Sequence, residues 1–237
     1  GKESFNSAYD EVKKAENKVE KEQQREQHTE QFKQSVAEND AVAVDHGDFS
    51  NVLDGETADY DHIITDPPYD EDAVAEWENV AAIAAEVLKP GGLLVAYSGK
   101  YHLPDVYDAL QSELEYFWQC VVVHEGGGAR VWPRNIRTNY KPVLVFAKPP
   151  VEKLDGLGHD VIEGGGREKD DHEWQQATAE AADLIDQLTE PNDRILDPMC
   201  GSGTTGVAAL EQNRRVHLID RDADAVETAR RRCADVI

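Results

Sequence analysis

The sequence predicts an α/β fold, a seven-stranded and mostly parallel sheet with helices on both faces. Two observations carry this. From residue 41 onward, apolar strand-like runs alternate with stretches that are apolar at three- and four-residue spacing. In addition, two Asp-Pro dipeptides, Asp66-Pro67 and Asp197-Pro198, close two of those runs. Ligands of parallel sheets sit at such carboxyl ends.

The elements follow in order. Residues 1–40 read as a helical extension or linker. Positions 9–37 contain no Gly or Pro and are rich in Glu, Lys and Gln, which are good helix formers. Few apolar residues mark a face there, so this arm is not core. The domain itself is 41–237. Its seven strand-like runs are 41–48, 60–68, 91–98, 116–125, 140–148, 193–199 and 214–222. Helical patterns cover 72–88, 101–113, 172–189, 203–212 and 222–235. Residues 151–171 are rich in Gly and charge and lack periodicity, so they read as a loop between two halves of the fold.

Length and charge bound the function. A chain of 237 residues fits one α/β domain with an extension. The net charge is −24, with 48 acidic residues against 24 basic ones. The acids punctuate ordered apolar runs such as 92–98 and 143–147, which excludes an acidic disordered chain. The dense carboxylate surface is that of a protein adapted to high salt, and the composition resembles that of haloarchaeal proteins. There is no apolar run of membrane length and no signal peptide, so a cytoplasmic protein away from membranes is expected. Cys120, Cys200 and Cys233 show neither paired nor zinc-type spacing, and no metal site is expected. Gly1 is not a start methionine, so residues upstream are expected.

The first chemical motif is Asp66-Pro67-Pro68-Tyr69, after the apolar strand ending at Thr65. Two prolines stop the sheet and fix the backbone. Asp66 and the Pro67 carbonyl then offer acceptors for an amino N–H, and Tyr69 offers a stacking face. A plain strand-ending turn capped by Asp66 is the structural alternative. The second motif runs Asp197-Pro198-Met199-Cys200-Gly201-Ser202-Gly203-Thr204-Thr205, between a strand and a helix. Gly201 and Gly203 permit a tight turn and a close ligand approach, and the helix N-terminus suits a carboxylate. A dinucleotide fingerprint and a P-loop are both absent. Asp220 ends the next strand, where an acid can accept ribose hydroxyls or cap the following helix.

Together these residues resemble the amino-group DNA methyltransferases. Asp66 to Tyr69 is like that family's catalytic motif, and Asp197 to Thr205 is like its cofactor motif. The catalytic motif comes first here, about 130 residues ahead, which is the circularly permuted order of the β-class. The resemblance spans residues 41–235. It implies a Rossmann-like methyltransferase fold, S-adenosylmethionine as cofactor and double-stranded DNA as partner. It also implies roles. Asp66, Pro67, Pro68 and Tyr69 would be catalytic. Asp197, Pro198, Gly201, Ser202, Gly203, Thr204, Thr205 and Asp220 would bind the cofactor. Asp48, in His46-Gly47-Asp48, would contact its adenine, and His172, Trp174 and Gln175 match an additional cofactor-binding segment. Adenine N6 is expected as the target, because Asp rather than Ser begins the catalytic motif. Cytosine N4, an RNA or protein amide substrate, and a non-catalytic partition-associated module are the alternatives. Residues 1–14 resemble the tail of the DNA-binding region of ParB-like proteins, which points to a fused or upstream DNA-binding region and a restriction, viral or plasmid setting. Monomer and homodimer both stay open.

The charge must be reconciled with DNA, whose grip depends on neutralised phosphates. Residues 126–150 hold no acid in 25 consecutive positions. They carry Arg130, Arg134, Arg137, Lys141 and Lys148, with Trp132 and Tyr140 among them. This mix suits phosphates and unstacked bases. Arg130, Trp132, Arg134, Arg137 and Lys141 are therefore predicted DNA contacts, within a 126–171 segment of DNA-contact and target-recognition loops.

Overall fold

The computed structural model describes residues 40–68, 73–124, 130–151, 158–164 and 173–237, with the isolated helical positions 13, 19, 23, 27 and 34. The rest of the expected N-terminal helix lies outside the described residues. In chain order the elements are β1 (Val42–His46), α1 (Phe49–Val52), β2 (Tyr60–Thr65), α2 (Ala73–Val87), β3 (Leu88–Tyr97), α3 (Leu103–Gln111) and β4 (Glu115–His124). There follow β5 (Arg130–Val131), a 3-10 turn (Trp132–Arg134), β6 (Ile136–Arg137), β7 (Tyr140–Ala147) and β8 (Val161–Gly164). The last part is α4 (Glu173–Leu188), β9 (Arg194–Asp197), α5 (Thr204–Glu211), β10 (Arg215–Asp220) and α6 (Ala223–Ala234).

The main sheet has eight strands in the order β1-β10-β9-β2-β3-β7-β4-β8. Only β7 runs against the others, pairing antiparallel with β3 and β4. All seven predicted strands are present. The eighth, β8, lies in the 151–171 stretch read as loop, and pairs parallel with β4 from Val121–Val161 to His124–Gly164. Four residues at a sheet edge need only one buried face, and β8 alternates exposed and buried. A pattern that short among glycines carries little periodic signal. A separate two-stranded ribbon, β5 with β6, rises from the acid-free segment.

Strands β3 and β7 are covered on both faces, so they read as continuous apolar runs at 93–97 and 143–147. Successive side chains of β2 point into different cores. Ile63 joins Trp77, Val80 and Leu110 under α2 and α3. Ile64 joins Leu184, Ile185, Ala208 and Ala229 under α4, α5 and α6. Fully burying such a side chain contributes about 1.5–3 kcal/mol. The one deeply buried arginine among the described residues, Arg214, is 3% exposed. It donates to the Thr189 carbonyl at 2.7 Å and to Thr189 Oγ1 at 2.9 Å, satisfying groups just past the end of α4 that lack helical partners. Among the described residues no helix is long and apolar enough to cross a membrane.

Candidate active site

Strand order locates the site. The chain leaves β2 toward β3 on one side and leaves β9 toward β10 on the other, while β2 and β9 pair directly. A crevice opens at such a switch point, outside the carboxyl ends of the two strands. Asp66 follows one of those ends and Asp197 forms the other. A cleft of about 530 Å³ lies there. Gly47, Asp48 and Phe49 line it from the β1–α1 corner, Asp66 and Pro68 from β2, and Glu76 from α2. Pro198 and Met199 after β9, with Asp220 and Arg221 at the end of β10, complete it.

The predicted acids occupy different settings. The Asp48 carboxylate caps α1, accepting the Ser50 N–H at 3.0 Å. Asp220 ties two backbones together. Its carboxylate accepts the Gly201 N–H at 2.8 Å and the Asp222 N–H at 2.8 Å. The cap of α6 is Asp222, which receives Asp224 and Ala225 N–H, so Asp220 does not serve as that helix's cap. The Cys200 N–H bonds the Ile219 carbonyl at 2.9 Å. The Pro198–Gly203 loop thus hangs from the end of β10.

Asp197 is 2% exposed. Burial pushes its carboxyl up to about 7. The Thr65 and Thr205 hydroxyls and the Met199 N–H favour the charged form, while Asp66 nearby disfavours it. Of these, the Met199 N–H makes a bond of 3.2 Å, whereas Thr65 Oγ1 lies close without a bond of ordinary geometry. Asp66 itself has a side chain 51% exposed and receives Lys141 Nζ at 2.6 Å. The cleft walls push its carboxyl above the usual range and Lys141 pulls it down. Exposure moderates both effects.

The two motif glycines divide the work. Gly201 has φ +49 and open space where a side chain would begin. Gly203 has φ +81, and a Cβ there would lie 2.8 Å from the Ala229 Cβ. Gly203 is therefore demanded by the packing of the loop against α6. Ser202 and Thr204 face α6 too. Arg232 donates to the Ser202 carbonyl at 2.9 Å, to Ser202 Oγ at 3.1 Å and to Thr204 Oγ1 at 3.2 Å.

Other predicted positions scatter. Pro67 is buried beneath the cleft. Tyr69 and His172 lie outside the described residues, as do the side chains of Trp174 and Gln175, whose backbones belong to α4. Arg130, Trp132, Arg134 and Arg137 come together on the ribbon, with Trp132 73% and Ile136 60% exposed. Arg130 stacks near Trp132 and bonds Asn135 at 2.8 Å, and Arg134 lies over Tyr101. Lys141, the fifth predicted contact, lies apart from the ribbon with its ammonium turned to Asp66 and the Tyr97 ring. Lys148, a base of the same acid-free window outside the predicted contacts, donates to the Leu88 carbonyl at 2.6 Å and the Glu86 carbonyl at 3.2 Å.

Sequence reasoning missed several cleft residues. Phe49 follows Asp48 directly and Met199 lies inside the second motif, so both were legible from position. Glu76 and Arg221 pair across the cleft between α2 and β10, a juxtaposition with no local signal. The lining therefore holds Asp48, Asp66, Glu76 and Asp220 against Arg221, a field that suits a ligand of net positive charge.

Residues 60–231 match the DNA methylase family of N6/N4 type. The chain belongs to that family. It is a DNA amino-methyltransferase, and the permuted motif pair sits in that family's matched span. Solved structures share the fold. The M1.HpyAVI–SAM complex superposes with TM-score 0.64 at 22% identity, covering 81% of this chain and 99% of that one. TTHA0409 from Thermus thermophilus, complexed with S-adenosyl-L-methionine, gives 0.65 at 20% identity, covering 81% and 93%. The cytosine-N4-specific PvuII DNA methyltransferase gives 0.67 at 16% identity, covering 83% and 93%. The expected Rossmann-like methyltransferase architecture is thus present, with eight strands in place of seven.

Proposed function

We propose that this methylase transfers the methyl group of S-adenosyl-L-methionine to N6 of an adenine rotated out of duplex DNA. The observation that supports it most is the pairing of two Asp-Pro strand ends at one switch point. Asp66 stands at the mouth and Asp197 is buried on the neighbouring strand. The residues fit the cofactor. The cleft has the needed size, open space lies over Gly201, and four carboxylates face one guanidinium. A sulfonium carrying an ammonium and a carboxylate is a net cation. When bound, it supplies an electrophilic methyl group.

The chain's own residues do the rest. Asp48, Asp220 and the Pro198–Gly203 loop would hold the cofactor, and His172, Trp174 and Gln175 would add further contacts to it. Asp66 and the Pro67 carbonyl accept hydrogen bonds from the base amino group, which turns the nitrogen lone pair toward the methyl carbon. Asp66 is also the nearest base for the proton that the nitrogen then sheds. Tyr69 stacks on the flipped base. Rate comes from alignment and preorganised charge. A covalent cysteine route is disfavoured. Cys120, Cys200 and Cys233 are all buried, and burial raises each thiol. Arg130, Trp132, Arg134 and Arg137 on the ribbon meet the DNA. A cytoplasmic location goes with this reading.

Adenine is preferred because Asp66 opens the motif. The test is nucleoside analysis of duplex DNA methylated by the purified enzyme. N6-methyladenine is expected. N4-methylcytosine in its place would overturn the choice of base, and no methylated base would overturn the reading.

A further inference from the structure

We infer that Lys141 is a positioning residue of the active site, holding Asp66 as an oriented carboxylate for the incoming amino group. The inference rests on the methyl-transfer reading above and adds a residue to it. Lys141 is the second residue of β7, the one antiparallel strand in the sheet. That strand carries it to the carboxyl end of β2, 75 residues away in sequence. Its ammonium lies 2.6 Å from Asp66 Oδ2 and 4.5 Å from the centre of the Tyr97 ring. Tyr97 is buried at the end of β3, next to β2 in the sheet. The cation is thus held from two sides, by a carboxylate and by an aromatic face.

The chemistry explains why such a cation is needed. Asp66 must accept a hydrogen bond, and a protonated carboxyl group would present a donor instead. Burial against the cleft wall favours protonation. Asp48, Glu76 and Asp220 share its cleft from α1, α2 and β10, and Asp197 lies near on β9. Arg221 is paired with Glu76. Tyr97 is held in its neutral form by burial and by Glu180 and Asp183 of α4. Lys141 touches Asp66 directly, opposes the effect of burial and holds one carboxylate oxygen in place. A lysine committed in this way is a poor phosphate contact, which separates it from the ribbon arginines.

The test compares wild type, Lys141→Met, Lys141→Gln and Lys141→Arg in steady-state methylation of duplex DNA across pH. Cofactor affinity by calorimetry serves as the check of folding. Lys141→Met is expected to lose roughly tenfold or more in kcat, with KM for DNA little changed. Its acidic limb moves up by about one pH unit or more, because an opposite charge at this distance lowers a carboxyl by that amount. Lys141→Gln shows the same limb, and Lys141→Arg restores most of the rate and the original limb. A raised KM for DNA with an unmoved limb would overturn the assignment and return Lys141 to the phosphate contacts. Failure of Arg to rescue while Gln does so would also overturn it. A wild-type enzyme that methylates no DNA would instead sink the reading on which this rests.

Discussion

The ends of β2 and β9 carry the same dipeptide on adjacent strands, yet they are built oppositely. Asp66 is half exposed and held by a lysine side chain. Asp197 is buried, and hydroxyls and a backbone N–H surround it. The difference lies in the chain just beyond each dipeptide. After Asp66, one buried and one exposed proline follow, and the carboxylate stays at the surface. After Asp197, the chain folds back through Met199 to Gly203 and roofs the carboxylate over. One acid is displayed at the mouth of the cleft, and its twin is buried beneath the Pro198–Gly203 loop.

The contrast between the two acids can be broken at either one. The largest effect should come from Asp66→Ala, which removes the acceptor. Methyl transfer should fall by about 10²–10³, in line with other lost transition-state contacts, while cofactor affinity by calorimetry stays within about threefold. An active Asp66→Ala enzyme would mean the exposed acid is only a turn cap.

Asp197 should answer in stability and in pH dependence. Its folded-state value lies above the ordinary aspartate value, so the native state favours the proton. The stability of this site is full below the ordinary aspartate range and is lost as pH rises toward about 7. Asp197→Asn removes that loss. Above neutrality the apo variant should be more stable than wild type, by up to about 4 kcal/mol in urea unfolding. A bound cation reverses the preference of Asp197. Wild-type affinity for the cofactor should therefore weaken as pH falls through about 7, and the Asn variant should show a flatter profile. Equal pH profiles would show that Asp197 does not sense the ligand.

Smaller effects refine the contrast. Trp132→Ala on the ribbon should weaken DNA binding by about 1–3 kcal/mol through lost stacking, measured by fluorescence anisotropy, and leave cofactor affinity alone. Gly203→Ala should cost about 1–3 kcal/mol of stability, since the new methyl meets Ala229. Gly201→Ala should cost about 1 kcal/mol for its left-handed backbone, with its main effect on cofactor affinity. The pair separates a packing glycine from a ligand-facing one.

Much of this was legible in the sequence because the signals were local. Strands β3 and β7 carry uninterrupted apolar runs at 93–97 and 143–147, and each Asp-Pro dipeptide marks its own strand end. What escaped depends on partners distant in the chain. Nothing near Lys141 announces Asp66, and a basic residue in an acid-free window reads as a phosphate contact. The different duties of Gly201 and Gly203 appear only when α6 is in place. Glu76 and Arg221 stand 145 residues apart, and β8 is too short to declare a period.

The sheet's division has a consequence for how the chain is strung. Strands β2, β3, β4, β7 and β8 come from one stretch of sequence and fill one side of the sheet, while β1, before that stretch, and β9 and β10, after it, fill the other. Helix α6 comes back along β1, where Arg230 donates to the Val44 carbonyl at 2.8 Å, and Val236 packs into the same cluster as Ala41. A short peptide linking those ends, with a cut made between β8 and α4, would keep every strand neighbour while reversing which motif is translated first. The order in which a ribosome delivers the two aspartates is thus a matter of wiring, and the chemistry depends only on their being neighbours when folding is complete.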